Sequence, residues 1–184
     1  MTFASPFRGD VPRSWFGPLR HRCLAAYDRV EQLPRGPERR ASWAAYALVT
    51  YGDKLIDTDG IDGATAEVAA AAYGLAAGCL EHGAVPGTMP HWSAGTRSEE
   101  QLRAMHETLA DLNTFLAYDA RDTSDTRVAA RLAAIDARLS TVARLWVPRP
   151  TPELRGGIAG ALVAGLDEAY VLGLDLAQPA PSSR

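Results

Sequence analysis

Apolar positions recur along this chain at intervals of three and four residues, the spacing that gathers them on one side of an α-helix. Leu19, Cys23, Ala26, Tyr27 and Val30 keep that period behind Pro18, a residue suited to a first helical turn, and predict a helix over 18–33. Pro34, Gly36 and Pro37 end it. A second helix is predicted over 38–57 from Trp43, Tyr46, Leu48, Tyr51 and Leu55, and a third over 64–82, where Val68, Leu75 and Leu80 sit among alanines before the capping Gly83. Ser98 with Gln101 three residues on forms a capping box for a fourth, carried by Leu102, Met105, Leu109, Leu112 and Leu116. Thr123 or Ser124 is the expected cap of a fifth, whose stripe Val128, Leu132, Ile135, Leu139, Val142 and Trp146 opposes Arg127, Arg131, Arg138 and Arg144. Thr151, Pro152 and Glu153 open a last helix reaching Leu176.

No run alternates with the period of a strand, so the expected fold is all-α, one domain over 1–184 built as a bundle of about six helices. Residues 1–17 read as an irregular arm, because prolines and glycines break the period while Phe3, Phe7, Trp15 and Phe16 call for packing on the body. Residues 83–97 form the longest connection and 177–184 a frayed tail. The last helix is apolar nearly all round and carries Gly156, Gly157, Gly160, Gly165 and Gly173. A glycine inside a helix costs about 1 kcal/mol relative to alanine, so these positions predict close contact and a central place for that helix.

Composition narrows the function. The formal net charge is -3 and basic and acidic residues are interleaved, which leaves no basic face for nucleic acid. Residues 1–13 lack an apolar signal-peptide core, and the apolar run 158–166 is far shorter than the roughly 20 residues of a membrane span, so a cytoplasmic protein with no membrane partner is expected. Cys23 and Cys79 fall in apolar helical patterns and read as core. The preference for arginine over lysine, with abundant alanine and glycine, points to a GC-rich bacterial genome.

Candidate chemistry concentrates around the single lysine, Lys54, which is surrounded by Asp53, Asp57, Asp59 and Asp62. Asp57, Thr58, Asp59, Gly60 and Ile61 resemble the first motif of the haloacid dehalogenase phosphatases. That resemblance covers five residues and implies a buried strand ahead of the motif and a later lysine, neither of which this chain offers. A calcium loop fails on register, since Asp62 falls where the invariant glycine belongs and Val68 where the bidentate glutamate belongs. Lys54 is spaced to relieve Asp57 three residues on.

Asp53 shares a stripe with Tyr46, Val49 and Ile56, which turns its carboxylate toward the bundle as a candidate general base. His106, on the edge of the fourth helix with Asn113, is the candidate acid or base partner. Tyr51, Lys54, Asn113 and Trp92 are the candidate substrate-binding groups. No spacing of the Glu-x-x-His kind supports a metal, and no cofactor motif is present. The expected function is binding of a small organic molecule in an interior pocket, with acid/base proton transfer, cyclisation, elimination or isomerisation as the chemistry. The alternative is a non-catalytic interaction module or homodimer built on the glycine-rich helix or on the leucine seam of the fourth helix.

Overall fold

The computed structural model describes residues 30–56, 63–88 and 98–179. They form α1 (Pro37–Ile56), α2 (Gly63–His82), α3 (Glu99–Asp119), α4 (Thr126–Leu145) and α5 (Pro152–Leu176), with no strand among the described residues. The fold is all-α. The arm over 1–17, residues 18–29 of the helix expected over 18–33, the Asp57 to Asp62 cluster, His91, Trp92 and the end of the tail lie outside the described residues.

Local signals set most boundaries. At the start of α3 the Ser98 hydroxyl accepts the Gln101 N–H at 3.2 Å and the Gln101 side chain accepts the Ser98 N–H at 3.3 Å, the reciprocal capping box its spacing predicts. Gly83 ends α2 at φ +64, its N–H donating to the Cys79 carbonyl at 2.9 Å. The cap of α4 is Asp125 rather than Thr123 or Ser124. Its carboxylate accepts the Arg127 N–H at 2.9 Å, and that hydrogen bond, together with the Arg127 side chain, holds the carboxyl below its ordinary range.

α1 and α3 run antiparallel. Arg39, near the start of α1, pairs with Asp119 at the end of α3, while Lys54, near the end of α1, meets Asp111 and Glu107 of α3. α2 packs mainly on α1, α4 mainly on α5, and α5 also lies against α3 and α1. The helix with the largest buried share is α1, with fourteen of twenty residues buried against eleven of twenty-five in α5. Its stretch 41–49 is buried all round, because Ala41, Ala44, Ala45 and Ala47 let neighbours approach on every side.

Close approach to glycine is confined to part of α5. A Cβ on Gly173 would lie 1.8 Å from the Trp43 indole, and one on Gly165 would lie 2.6 Å from Leu109. Gly157 makes ordinary contact with Leu145, and Gly156 and Gly160 face open space. Glycine therefore marks contact at the C-terminal half of α5 and an open face at its N-terminal half. Arg131 of α4 pairs with Asp175 at 2.5 Å and Glu168 at 3.7 Å, a network at the surface.

α2 and α5 are long and apolar enough by composition to cross a membrane, and about half of each apolar window is buried inside the bundle. Tyr170 of α5 ties the segment after α2 to the core by donating its hydroxyl to the Pro86 carbonyl at 2.5 Å. Burial pushes this phenol well above its ordinary value, the nearby Cys79 thiol adds to the shift and Arg40 opposes it. Its neutral form is favoured on folding, so that stability is complete below about pH 10, where an unfolded tyrosine titrates, and is lost as the pH rises further. Melting temperatures measured from about pH 9 to 12 are expected to fall more steeply for the wild type than for Tyr170→Phe; parallel curves would remove Tyr170 from the alkaline transition.

Candidate functional site

Two helical rows face each other between α1 and α3. Tyr46, Val49, Thr50 and Asp53 fall at i, i+3, i+4 and i+7 of α1, and Asp111, Thr114, Phe115 and Tyr118 repeat that spacing on α3. With Glu31 they line a cleft of about 550 Å³. Its α1 wall is buried or half-buried, whereas Asp111, Thr114 and Tyr118 of the α3 wall are exposed.

The floor of the cleft is aromatic. Phe115 stacks on Trp43 with ring centres 5.4 Å apart and meets Tyr46 at 5.1 Å, so the ring seen from the cleft continues into the core. The Trp43 indole N–H donates to the Tyr170 carbonyl at 3.1 Å, which fixes the far end of that stack. Asp53 is half-buried, and its Oδ1 accepts a hydrogen bond from the fully buried Tyr73 of α2. Gly52 makes room for that tyrosine, since a Cβ there would lie 3.1 Å from its ring. Thus α2 orients the carboxylate that α1 presents to the cleft.

Lys54 does not line the cleft; it reaches across to α3, with Nζ 3.1 Å from Asp111 and 3.9 Å from Glu107. Its expected partner Asp57 lies outside the described residues. Tyr51 is buried in the core and does not line the cleft either.

His106 and Asn113 share the other flank of α3, toward α4. The His106 ring packs 6.1 Å from Trp146, and Asn113 donates to Asp136 at 2.7 Å. Neither lines the Asp53 cleft, so the structure does not bring the two sequence-predicted acid/base groups together there. His106 and Asn113 are seven residues apart, two helical turns, which aligns them with each other and turns both away from Asp111 and Phe115. The residues missed from sequence are Glu31, Thr50, Tyr73, Asp111, Thr114, Phe115 and Tyr118. For the α3 wall a signal was present, since Asp111, Thr114, Phe115 and Tyr118 form a polar and aromatic row beside the leucine seam.

A larger recess of about 720 Å³ lies at the start of α4 and the end of α5. Its arginines already have partners: Arg127 meets Asp125, Arg131 meets Asp175, and Arg35 donates to the Leu176 carbonyl. It is a charge-balanced surface hollow without a convergent set of reactive groups. Among the described residues no group of three or more His, Cys, Asp or Glu is placed to hold a metal ion. Comparison with protein families, with curated proteins and with solved structures finds no match to this chain.

Proposed function

We propose that this chain is a cytoplasmic helical-bundle protein that binds a small organic molecule in the α1–α3 cleft, with Asp53 as the anchoring carboxylate. The observation that carries the reading is the half-buried Asp53, oriented by Tyr73 at the edge of an aromatic-floored hollow of about 550 Å³. That volume suits a molecule of drug-like size or smaller. In an acid/base reaction of the proton-transfer, cyclisation, elimination or isomerisation type, Asp53 is the group that takes the proton. His106 then has no part at this cleft, and its packing on Trp146 suits a structural role.

The test is a screen of charged and neutral fragments by NMR, with backbone amide shifts mapped on the protein. Perturbations are expected at Val49, Thr50, Thr114 and Phe115. Asp53→Asn keeps an oxygen for the Tyr73 hydroxyl and so preserves the fold, while the loss of a charged hydrogen bond, about 1.5–3 kcal/mol, weakens cleft-bound hits roughly tenfold or more. A folded Asp53→Asn protein with undiminished binding would sink the role. A second reading is a homodimer through the open α5 face, which Gly156 and Gly160 leave clear of neighbouring atoms. It gains if the amide shifts instead map to that face and change with protein concentration.

A further inference from the structure

Arg39 and Arg40 are neighbours on α1, and their surroundings differ. Arg39 is buried and engaged, pairing with Asp119 and donating to the Leu33 carbonyl. Arg40 is half-buried, its Nε is enclosed by the fold, and that nitrogen meets no acceptor. Among the described residues it is the one buried side-chain nitrogen or oxygen left in that state, and no carboxylate there pairs with Arg40. The corner around it is rich in donors. The Tyr170 phenol of α5 feels the charge of Arg40 and the Cys79 thiol of α2 together, which gathers the three side chains where α1 begins and α2 ends. Two of these donors are served by the chain that follows α2, since the Cys79 thiol donates to the Ala84 carbonyl at 3.3 Å and the Tyr170 hydroxyl to the Pro86 carbonyl at 2.5 Å. The guanidinium has no such carbonyl. A buried donor left unmet costs about 1–3 kcal/mol, more when charged, and arginine keeps its charge at any ordinary pH, so this corner is short of one acceptor and one negative charge. The group that supplies both is an oxyanion, whose oxygens match the guanidinium fork.

We propose that Arg40 anchors an oxyanion site at the corner of α1, α2 and α5, taking a carboxylate or a phosphate on its guanidinium. The site is separate from the α1–α3 cleft, which Arg40 does not line, and it stands whether or not that cleft binds a small molecule. Nε is the enclosed nitrogen of the three, so the anion approaches along the Nη edge.

Inorganic phosphate and acetate are the probes, each titrated into the full chain against sodium chloride of equal ionic strength. The readouts are the arginine Nε–Hε signals by NMR and the melting temperature. One or both anions are expected to move the Arg40 signal saturably, with a Kd on the order of millimolar, as one charged fork exposed to solvent provides. At about ten times that Kd the melting temperature should rise by about 3–5 °C. A response to phosphate alone assigns the site to phosphoryl ligands, one to acetate alone to carboxylates, and one to both to oxyanions in general. Arg40→Met, which identifies the signal by removing it, is expected to be at least as stable as the wild type in chloride and to lose the anion-dependent rise. Arg40→Gln, polar and uncharged, makes the same comparison should the methionine variant fail to fold. If chloride moves the Arg40 signal as far as either probe, or if the variants keep the rise in melting temperature, the proposal is overturned. Silence of the signal toward both probes at about 50 mM overturns it as well, since so weak an interaction is not a site.

Discussion

Gly173→Ala is expected to cost about 3 kcal/mol of stability or to prevent folding, a large effect for one methyl group. The Cβ would stand 1.8 Å from the Trp43 indole, well inside contact distance. The indole has little room to yield, because Trp43 is buried, stacked on Phe115 and held by its hydrogen bond to the Tyr170 carbonyl. Overpacking a filled core costs about 1–3 kcal/mol, and here the hydrogen bond and the stack are disturbed as well. Gly156→Ala is the control on the same helix. Nothing lies within 4 Å of its Cβ position, so replacing a helical glycine there is expected to stabilise by up to about 1 kcal/mol. Urea unfolding of both variants checks the pair, and equal midpoints for the two would contradict this account of α5.

The second large effect belongs to Arg39. Its guanidinium is largely buried, pairs with Asp119 at 2.5 Å and donates to the Leu33 carbonyl at 2.8 Å, so one side chain ties α1, the end of α3 and the segment entering α1. Asp119→Ala strands that guanidinium without its counter-charge, and a buried pair broken from one side loses about 3–5 kcal/mol. Arg39→Met with Asp119→Leu removes both charges and is expected to recover most of the loss, since a buried pair contributes little net stability against apolar residues of similar size. Thermal or urea unfolding of the single and double variants decides it. A double variant as unstable as Asp119→Ala would show that the backbone tie to Leu33, and not the charge pair, holds the corner.

How much of this was legible in the sequence depends on whether the signal is local. The helices α1 to α5, the box at Ser98 and the stop at Gly83 rest on periodicity and caps, which neighbouring residues decide, and they follow the sequence closely. The enclosure of α1 is less visible, because alanine suits a buried position and an exposed helical surface equally. The stretch from Ala41 to Gly52 has no charge, and that signal marks α1 as interior more firmly than glycine marks α5. Asp53 on a stripe with Tyr46 and Val49 was readable from helical spacing, and all three residues line the cleft. What lies opposite them was not readable. Whether Asp53 meets His106 or Asp111 depends on the rotation of α3 about its own axis, which is set by how Phe115 packs on Trp43 and Tyr46 across some seventy positions of chain.

The two walls of the cleft differ in how freely they can change. Tyr46 and Val49 belong to a helix enclosed by its neighbours, so a substitution there reshapes the core before it reshapes the hollow. Asp111, Thr114 and Tyr118 stand on the exposed side of α3, where a new side chain meets water and disturbs surface contacts, the Lys54–Asp111 pair and the Arg121–Tyr118 stack, before it disturbs the core. Under the small-molecule reading proposed above, a lineage carrying this bundle can therefore vary what the cleft accepts by mutation along one helix while the opposite helix keeps the scaffold folded, which makes α3 the place to alter the hollow and α1 the place to leave alone.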